Sequence, residues 1–149
     1  MAVPTDEVAI EALTRDAYLS WIAVIGGTPM PVNADHGRFI RAGLAWVAIA
    51  EDGSVCAVVE MEPDAADWTV FNVAVGPVFQ GHGLGSKMLA FAERIGAERG
   101  HREIRLYTNR KMTRNIELYR RLGYIVTGER TTARRPGNFI VDMAKNLAD

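Results

Sequence analysis

A mixed α/β (α+β) fold is the class that this 149-residue sequence predicts. The expected architecture is a mostly antiparallel central sheet with one parallel strand–helix–strand unit and helices on both faces. Three observations carry it. Helical spacing of apolar residues dominates the N-terminal region. Strand-like runs begin at Trp46. A glycine-rich turn at residues 80–86 then joins a strand to a helix. Length fits one domain over residues 1–149. Hydrophobic residues make up 48% and charged residues 23%, globular values that exclude a disordered chain, a collagen-like fibre and a coiled-coil rod.

Thr5 is placed to cap a first helix that opens with Asp6 and Glu7, residues suited to a helix N-terminus. Val8, Ala12, Leu13, Ala17 and Leu19 to Ile22 give it an apolar stripe, and Gly26-Gly27 stops it. Two prolines between Thr28 and Pro31 mark a loop. A shorter helix is predicted from Asn33 or Ala34 to Ala42. Trp46–Ala50 and Val55–Glu60 read as strands joined by Glu51-Asp52-Gly53-Ser54, where Asp-Gly is a hairpin signal. Thr69–Val75 is a third strand, ended by Gly76-Pro77. Leu84, Met88, Phe91 or Ala92, and Ile95 share one face of a helix running to Arg99, with Gly100 beyond it. Glu103–Thr108 is a fourth strand and 113–122 a short helix. Tyr124–Thr127 and Asn138–Ala144 complete the sheet.

Charge and composition narrow the function. Seventeen basic and eighteen acidic side chains leave a net charge of −1, which gives no global attraction to nucleic acid or to an anionic membrane. The single cysteine, Cys56, forms no internal disulfide and lies in an apolar run, so it reads as a small buried hydrophobe in a reducing, cytoplasmic setting. No apolar run reaches the length of a membrane span, and the N-terminus lacks the pattern of a secretory leader. Three scattered histidines without H-x-x-x-H spacing suggest no metal site.

The segment Gln80-Gly81-His82-Gly83-Leu84-Gly85-Ser86 carries the most information. Amides at a helix start lack internal partners and the helix dipole adds positive charge there, so a phosphate fits where glycines admit close approach. The bland alternative is a tight turn with no ligand. Two nucleotide motifs fail. Gly83 and Gly85 begin a G-x-G-x-x-G fingerprint, but Met88 stands at its third glycine. Lys87 follows Ser86 rather than the glycine that a triphosphate loop requires.

The pattern that fits is Q/R-x-x-G-x-G/A, and this turn resembles the pyrophosphate-binding motif of the GNAT superfamily of N-acetyltransferases. The strand Phe71-Asn72-Val73-Ala74-Val75 with its Gly76-Pro77 exit is similar to that family's central strand. Asn115-x-x-x-Tyr119-x-x-x-Gly123-Tyr124 is similar to a later signature, with one residue fewer between Asn and Tyr than the family's usual count. The resemblance covers Trp46 to Ala144 and is weaker over the first helices. It implies acetyl-CoA as cosubstrate, with no metal, and acetyl transfer to a primary amine of a small molecule or protein. Gln80, Gly81, His82, Gly83, Leu84, Gly85 and Ser86 would hold the pyrophosphate. Val73 and Val75 would pair their backbone with the pantetheine arm, because the family opens that strand edge. Asn115 would contact the cofactor. Tyr119 would act as general acid on the leaving thiolate, since a phenol near its ordinary pKa of about 10 can protonate it. An amide near Val75 would polarise the thioester carbonyl.

A base is less legible. Glu60 and Glu62 are candidates for taking the ammonium proton, with Glu60 the first choice, although solvated strand-end charge is the plainer reading of both. Asn72 either orients a water or substrate or bonds a neighbouring strand. His36 and His101 read as surface residues. Arg110, Lys111, Arg114, Arg120 and Arg121, with Arg130, Arg134 and Arg135, read mainly as a solvated basic face. Contact with a cofactor 3′-phosphate is the sharper alternative. The family opens with a strand for which Met1 to Pro4 leaves almost no room. The resemblance assigns acceptor choice to about Trp21–Arg38 and Arg130–Asn138. Homodimers are common in the family, so a homodimer is an expectation without direct support in these residues. The competing function is a non-catalytic acyl-CoA-binding sensor or regulatory module. A nucleoside-triphosphate-binding protein is disfavoured by the failed motif at Ser86 to Met88.

Overall fold

A computed structural model describes residues 1–131 and 138–147. Six strands form one sheet in the order β1-β2-β3-β4-β6-β5. They are β1 (Ala45–Ile49), β2 (Val55–Met61), β3 (Trp68–Val75), β4 (Glu103–Asn109), β5 (Ile125–Thr131) and β6 (Phe139–Asn146). Every neighbouring pair is antiparallel except β3–β4. The helices are α1 (Glu7–Ile25), α2 (His36–Arg41), α3 (Leu84–Glu98) and α4 (Thr113–Arg121).

Each helix ends and faces as its residues dictate. Gly26 adopts the left-handed conformation beyond α1, and its N–H bonds the Ile22 carbonyl. Thr5 does not cap α1. Pro4–Asp6 forms a 3₁₀ turn, and the helix starts after Asp6. The second helix starts later than its sequence suggests, because Pro31 draws Met30–Asn33 into a separate 3₁₀ turn. In place of a first strand, Ala2 N–H makes one bond to the Ala45 carbonyl, 2.9 Å.

Two cores sandwich the sheet. Ile10, Leu13, Phe39, Val58 and Ala74 pack beneath α1 and α2. Trp46, Val59, Trp68, Leu89, Ala92 and Ile104 pack beneath α3. Burial of each of the larger aliphatic or Phe side chains among them contributes roughly 1.5–3 kcal/mol. Trp68 reaches α3 through an indole N–H bond to the Ala92 carbonyl, 2.8 Å. Gly96 makes that approach feasible, because a Cβ there would collide with the indole ring. Cys56 is buried, with its thiol donating to the Ala48 carbonyl.

One irregularity positions everything that follows. Glu60 pairs with Asn72 but Met61 pairs with Val70, so Phe71 is an additional residue in β3. Such a bulge resets the alternation of faces. Trp68 and Val70 face α3, whereas Asn72 and Ala74 face α1.

Candidate active site

Strands β3 and β4 separate soon after they meet. Their pairing is confined to Trp68↔Ile104 and Thr69↔Arg105, although both strands continue for several residues. Beyond that point β3 has a partner strand on one side only. Gly76 N–H bonds the Cys56 carbonyl on β2. Backbone direction alternates along a strand, so the amides and carbonyls of Val75 and Val73 face the diverged edge. The Val75 carbonyl accepts a hydrogen bond from Gln80 Nε2, 3.1 Å, on that side.

The open edge runs into a cleft of about 760 Å³. Val73, Val75, Gln80, Gly81, Gly83, Leu84, Gly85, Ser86 and Asn115 all border it, and so does Tyr119. His82 is exposed and does not border the cleft. Gly83 is the cap of α3 at φ 78°, a conformation that costs an ordinary residue free energy. A Cβ built on Gly81 or Gly83 meets nothing within 4 Å, so open space lies against both. The first amides of α3 also lack helical acceptors, and the helix dipole makes this corner electropositive. Arg114 and Arg121 border the same cleft. Arg134 and Arg135 lie outside the described residues.

Tyr119 and Asn115 stand one turn apart on α4, on the cleft side. The Tyr119 ring meets Tyr124 edge to face at 6.0 Å. Burial pushes its phenol up to about 12, so it stays protonated throughout the physiological range.

The two glutamates occupy opposite kinds of environment. Glu60 is not a solvated strand end: it is fully buried and outside the cleft lining. Its carboxylate lies 2.8 and 2.9 Å from His36 Nδ1 and accepts from Asn72 Nδ2 at 2.9 Å. Asn72 Nδ2 also reaches Thr14 Oγ1 at 3.1 Å. His36, expected at the surface, is 2% exposed. Burial opposes its charge, but the hydrogen bond and attraction of Glu60 outweigh that and raise its pKa. His36 Nε2 and Asn72 Oδ1 are left without hydrogen-bond partners. No local pattern signals this network, because α2 and β2 meet only in the folded chain. His101 is half-buried and stacked on Trp68 rather than free at the surface.

Glu62 is half-buried and accepts a 2.6 Å bond from the Tyr107 hydroxyl. Tyr107 borders a second pocket, of about 130 Å³, which Phe71 of β3 and Thr108 and Asn109 of β4 also line. Tyr18, which no sequence motif marks, borders both cavities. Burial, together with Tyr119, Glu60 and Tyr107, raises its phenol well above the ordinary range. Among the described residues no group of three or more His, Cys, Asp or Glu is placed to hold a metal ion, and no helix is long and apolar enough to cross a membrane.

Comparison with known proteins places this site in a family. Residues 9–124 match the family described as Acetyltransferase (GNAT) family. A mycothiol acetyltransferase of Clavibacter sepedonicus is 29% identical over 130 residues, covering 78% of this chain. This chain spans 42% of that relative's length. The crystal structure of a nourseothricin acetyltransferase is similar at TM-score 0.60 and 26% identity, over 69% of this chain and 64% of that one. An aminoglycoside 6′-N-acetyltransferase complexed with coenzyme A shares the fold at TM-score 0.76 and 16% identity, over 99% and 93% of the two chains. The glycine-rich turn, the parted strands and the tyrosine-bearing helix therefore sit in a chain that belongs to the GNAT family of acetyltransferases.

Proposed function

We propose that residues 1–149 act as one catalytic domain that moves the acetyl group of acetyl-CoA to a primary amine. The carrying observation is the parting of β3 from β4, which aims the backbone of Val73 and Val75 into a cleft that ends at the glycine turn. The residues present fit the cosubstrate. An extended arm with two amides matches a strand edge with outward N–H and C=O groups. A pyrophosphate matches open space beside Gly81 and Gly83 at a helix start.

Acetyl-CoA supplies an activated acyl group on a thioester. The chain supplies position, polarisation and proton handling. The Val75 amide lies on the open edge, where it can donate to a carbonyl oxygen. Tyr119 presents a protonated hydroxyl. With a phenol near 12 it stabilises a departing thiolate chiefly by donating a hydrogen bond, because complete proton transfer to a thiolate of pKa about 8.5 is uphill.

The amine must lose a proton, since a primary ammonium titrates near 10.4. Glu60 is sealed behind His36 and Asn72 and is unsuited to direct contact. Glu62 is better placed. An N–H of the ammonium donates to the Tyr107 oxygen, and the Tyr107 hydroxyl proton passes to Glu62 Oε1 along the existing 2.6 Å bond. The nitrogen regains its lone pair and the carboxylate becomes neutral. A sensor role would need only the cleft. The Tyr107–Glu62 pair beside the second pocket favours turnover.

Release of free thiol from acetyl-CoA, followed over a library of primary amines, tests the reading. Acceptor-dependent release is expected. Tight acetyl-CoA binding with no release for any amine would favour the sensor.

A further inference from the structure

We propose that the second pocket is the acceptor pocket and selects a compact monoamine bearing one apolar or aromatic group, with Tyr18 positioning the nitrogen at the opening between the strands. The inference rests on the acetyl-transfer reading and adds the substrate class. Its starting point is geometric: Tyr18 borders both the large cleft and the small pocket. A molecule seated in the small pocket therefore meets the donor side at Tyr18.

Size sets the first limit. The pocket is about 130 Å³. An apolar cavity of about 150 Å³ accommodates benzene. One aromatic ring or a short branched chain fills this one, and the further rings of a multi-ring sugar would project beyond it. Chemistry sets the second limit. Ile25, Met30, Phe71, Met112 and Ile140 form the body of the pocket. The polar groups gather at Tyr18, Tyr107 and Asn109, enough oxygens for one ammonium.

Charge sets the third limit. Among the described residues, none that lines the pocket carries a carboxylate. Of the nearby acids, Glu62 is engaged by Tyr107, and Asp142 is held by three Arg130 hydrogen bonds of 3.0, 3.2 and 3.3 Å. A second or third ammonium on the acceptor would be desolvated without a partner, which is costly. Arg130 borders the pocket with its charge paired to Asp142, so this wall offers a further cation no free carboxylate.

The test follows thiol release at saturating acetyl-CoA with 2-phenylethylamine, isoamylamine, spermidine and kanamycin. The expected kcat/KM for the first two exceeds that for the polycations by ~10²-fold. Met30 is half-exposed at the pocket, so Met30→Glu should fold, and it should narrow the ratio at least tenfold by supplying a carboxylate. A preference for spermidine or kanamycin overturns the inference. So does the absence of turnover of both monoamines by protein that binds acetyl-CoA. If acetyl-CoA fails to bind, the acetyl-transfer reading falls by itself. Calorimetric titration of the free protein with 2-phenylethylamine and spermidine then decides the pocket, with monoamine binding that Met30→Glu weakens supporting it and tighter spermidine binding overturning it.

Discussion

The two cavities that share Tyr18 are built from different material. The large cleft offers backbone on its donor-binding wall, a strand edge at Val73 and Val75 and the amides around Gly81 to Ser86, with residues of α1 and α4 around it. The small pocket is made of side chains drawn from α1, the 3₁₀ turn at Met30–Asn33, β3, β4 and β6. Backbone recognition needs glycine where a ligand comes close and a helix start where negative charge must rest. Side-chain recognition needs only that distant residues meet. The first kind of site leaves a local trace in the sequence, and the second does not.

The largest expected effect lies behind the side-chain pocket. His36→Ala strands the buried Glu60 carboxylate and should cost about 3–5 kcal/mol of stability by urea unfolding. Replacing both partners, as His36→Leu with Glu60→Gln, should recover much of that loss. A double variant as unstable as the single would mean that shape, not charge, dominates.

The backbone-built cleft should fail separately. Gly83→Glu and Gly85→Glu place a carboxylate against the cradle. Each should weaken acetyl-CoA binding ~10²-fold, about 2.7 kcal/mol, with melting near wild type for Gly85→Glu and lowered by the strain of the positive φ for Gly83→Glu. Gly85 is helical and a Cβ there clears Val75 by 3.8 Å, so that variant separates ligand repulsion from backbone strain. Unchanged affinity in both would remove the cradle.

Next comes the chemistry between the two regions. Tyr119→Phe should lower kcat by roughly 10–10²-fold and leave acetyl-CoA affinity intact. With the phenol near 12, no limb of the pH–rate profile below pH 10 should belong to it. A wild-type rate would make Tyr119 packing alone. Glu62→Gln should cost about tenfold in kcat/KM near pH 7. The loss should shrink toward pH 10, where free amine forms without a base. A deficit constant with pH would mean that Glu62 serves structure.

The smallest effect is a pH signature of the buried pair. The folded-state pKa of His36 is raised above its ordinary 6.5. Its contribution is complete below about pH 6.5 and is lost as pH rises through the folded value. Each tenfold gain in proton affinity on folding corresponds to about 1.4 kcal/mol. Melting temperature should therefore fall as pH rises above about 6.5 in the wild type, relative to the His36→Leu/Glu60→Gln variant. Parallel curves would assign the pair no proton linkage.

The same contrast explains what was legible. The hairpin at Asp52-Gly53, the turn at Gly81–Gly85 and the helical face of Leu84, Met88 and Ile95 are short-range patterns, and the strands and helices fall close to where they predict. The parting of β3 from β4 and the extra residue Phe71 are properties of paired strands, so no single run encodes them. His36 and Glu60 are 24 residues apart, and each alone looks like surface charge. Tyr18 reads as one more aromatic on an amphipathic helix until the fold places it at both cavities.

Calorimetric titration of the wild-type chain, with acetyl-CoA and separately with ATP and magnesium, tests the central claim most directly. Micromolar binding of acetyl-CoA and none of ATP is the expected result. Binding of ATP, or no binding of acetyl-CoA by folded protein, would contradict it.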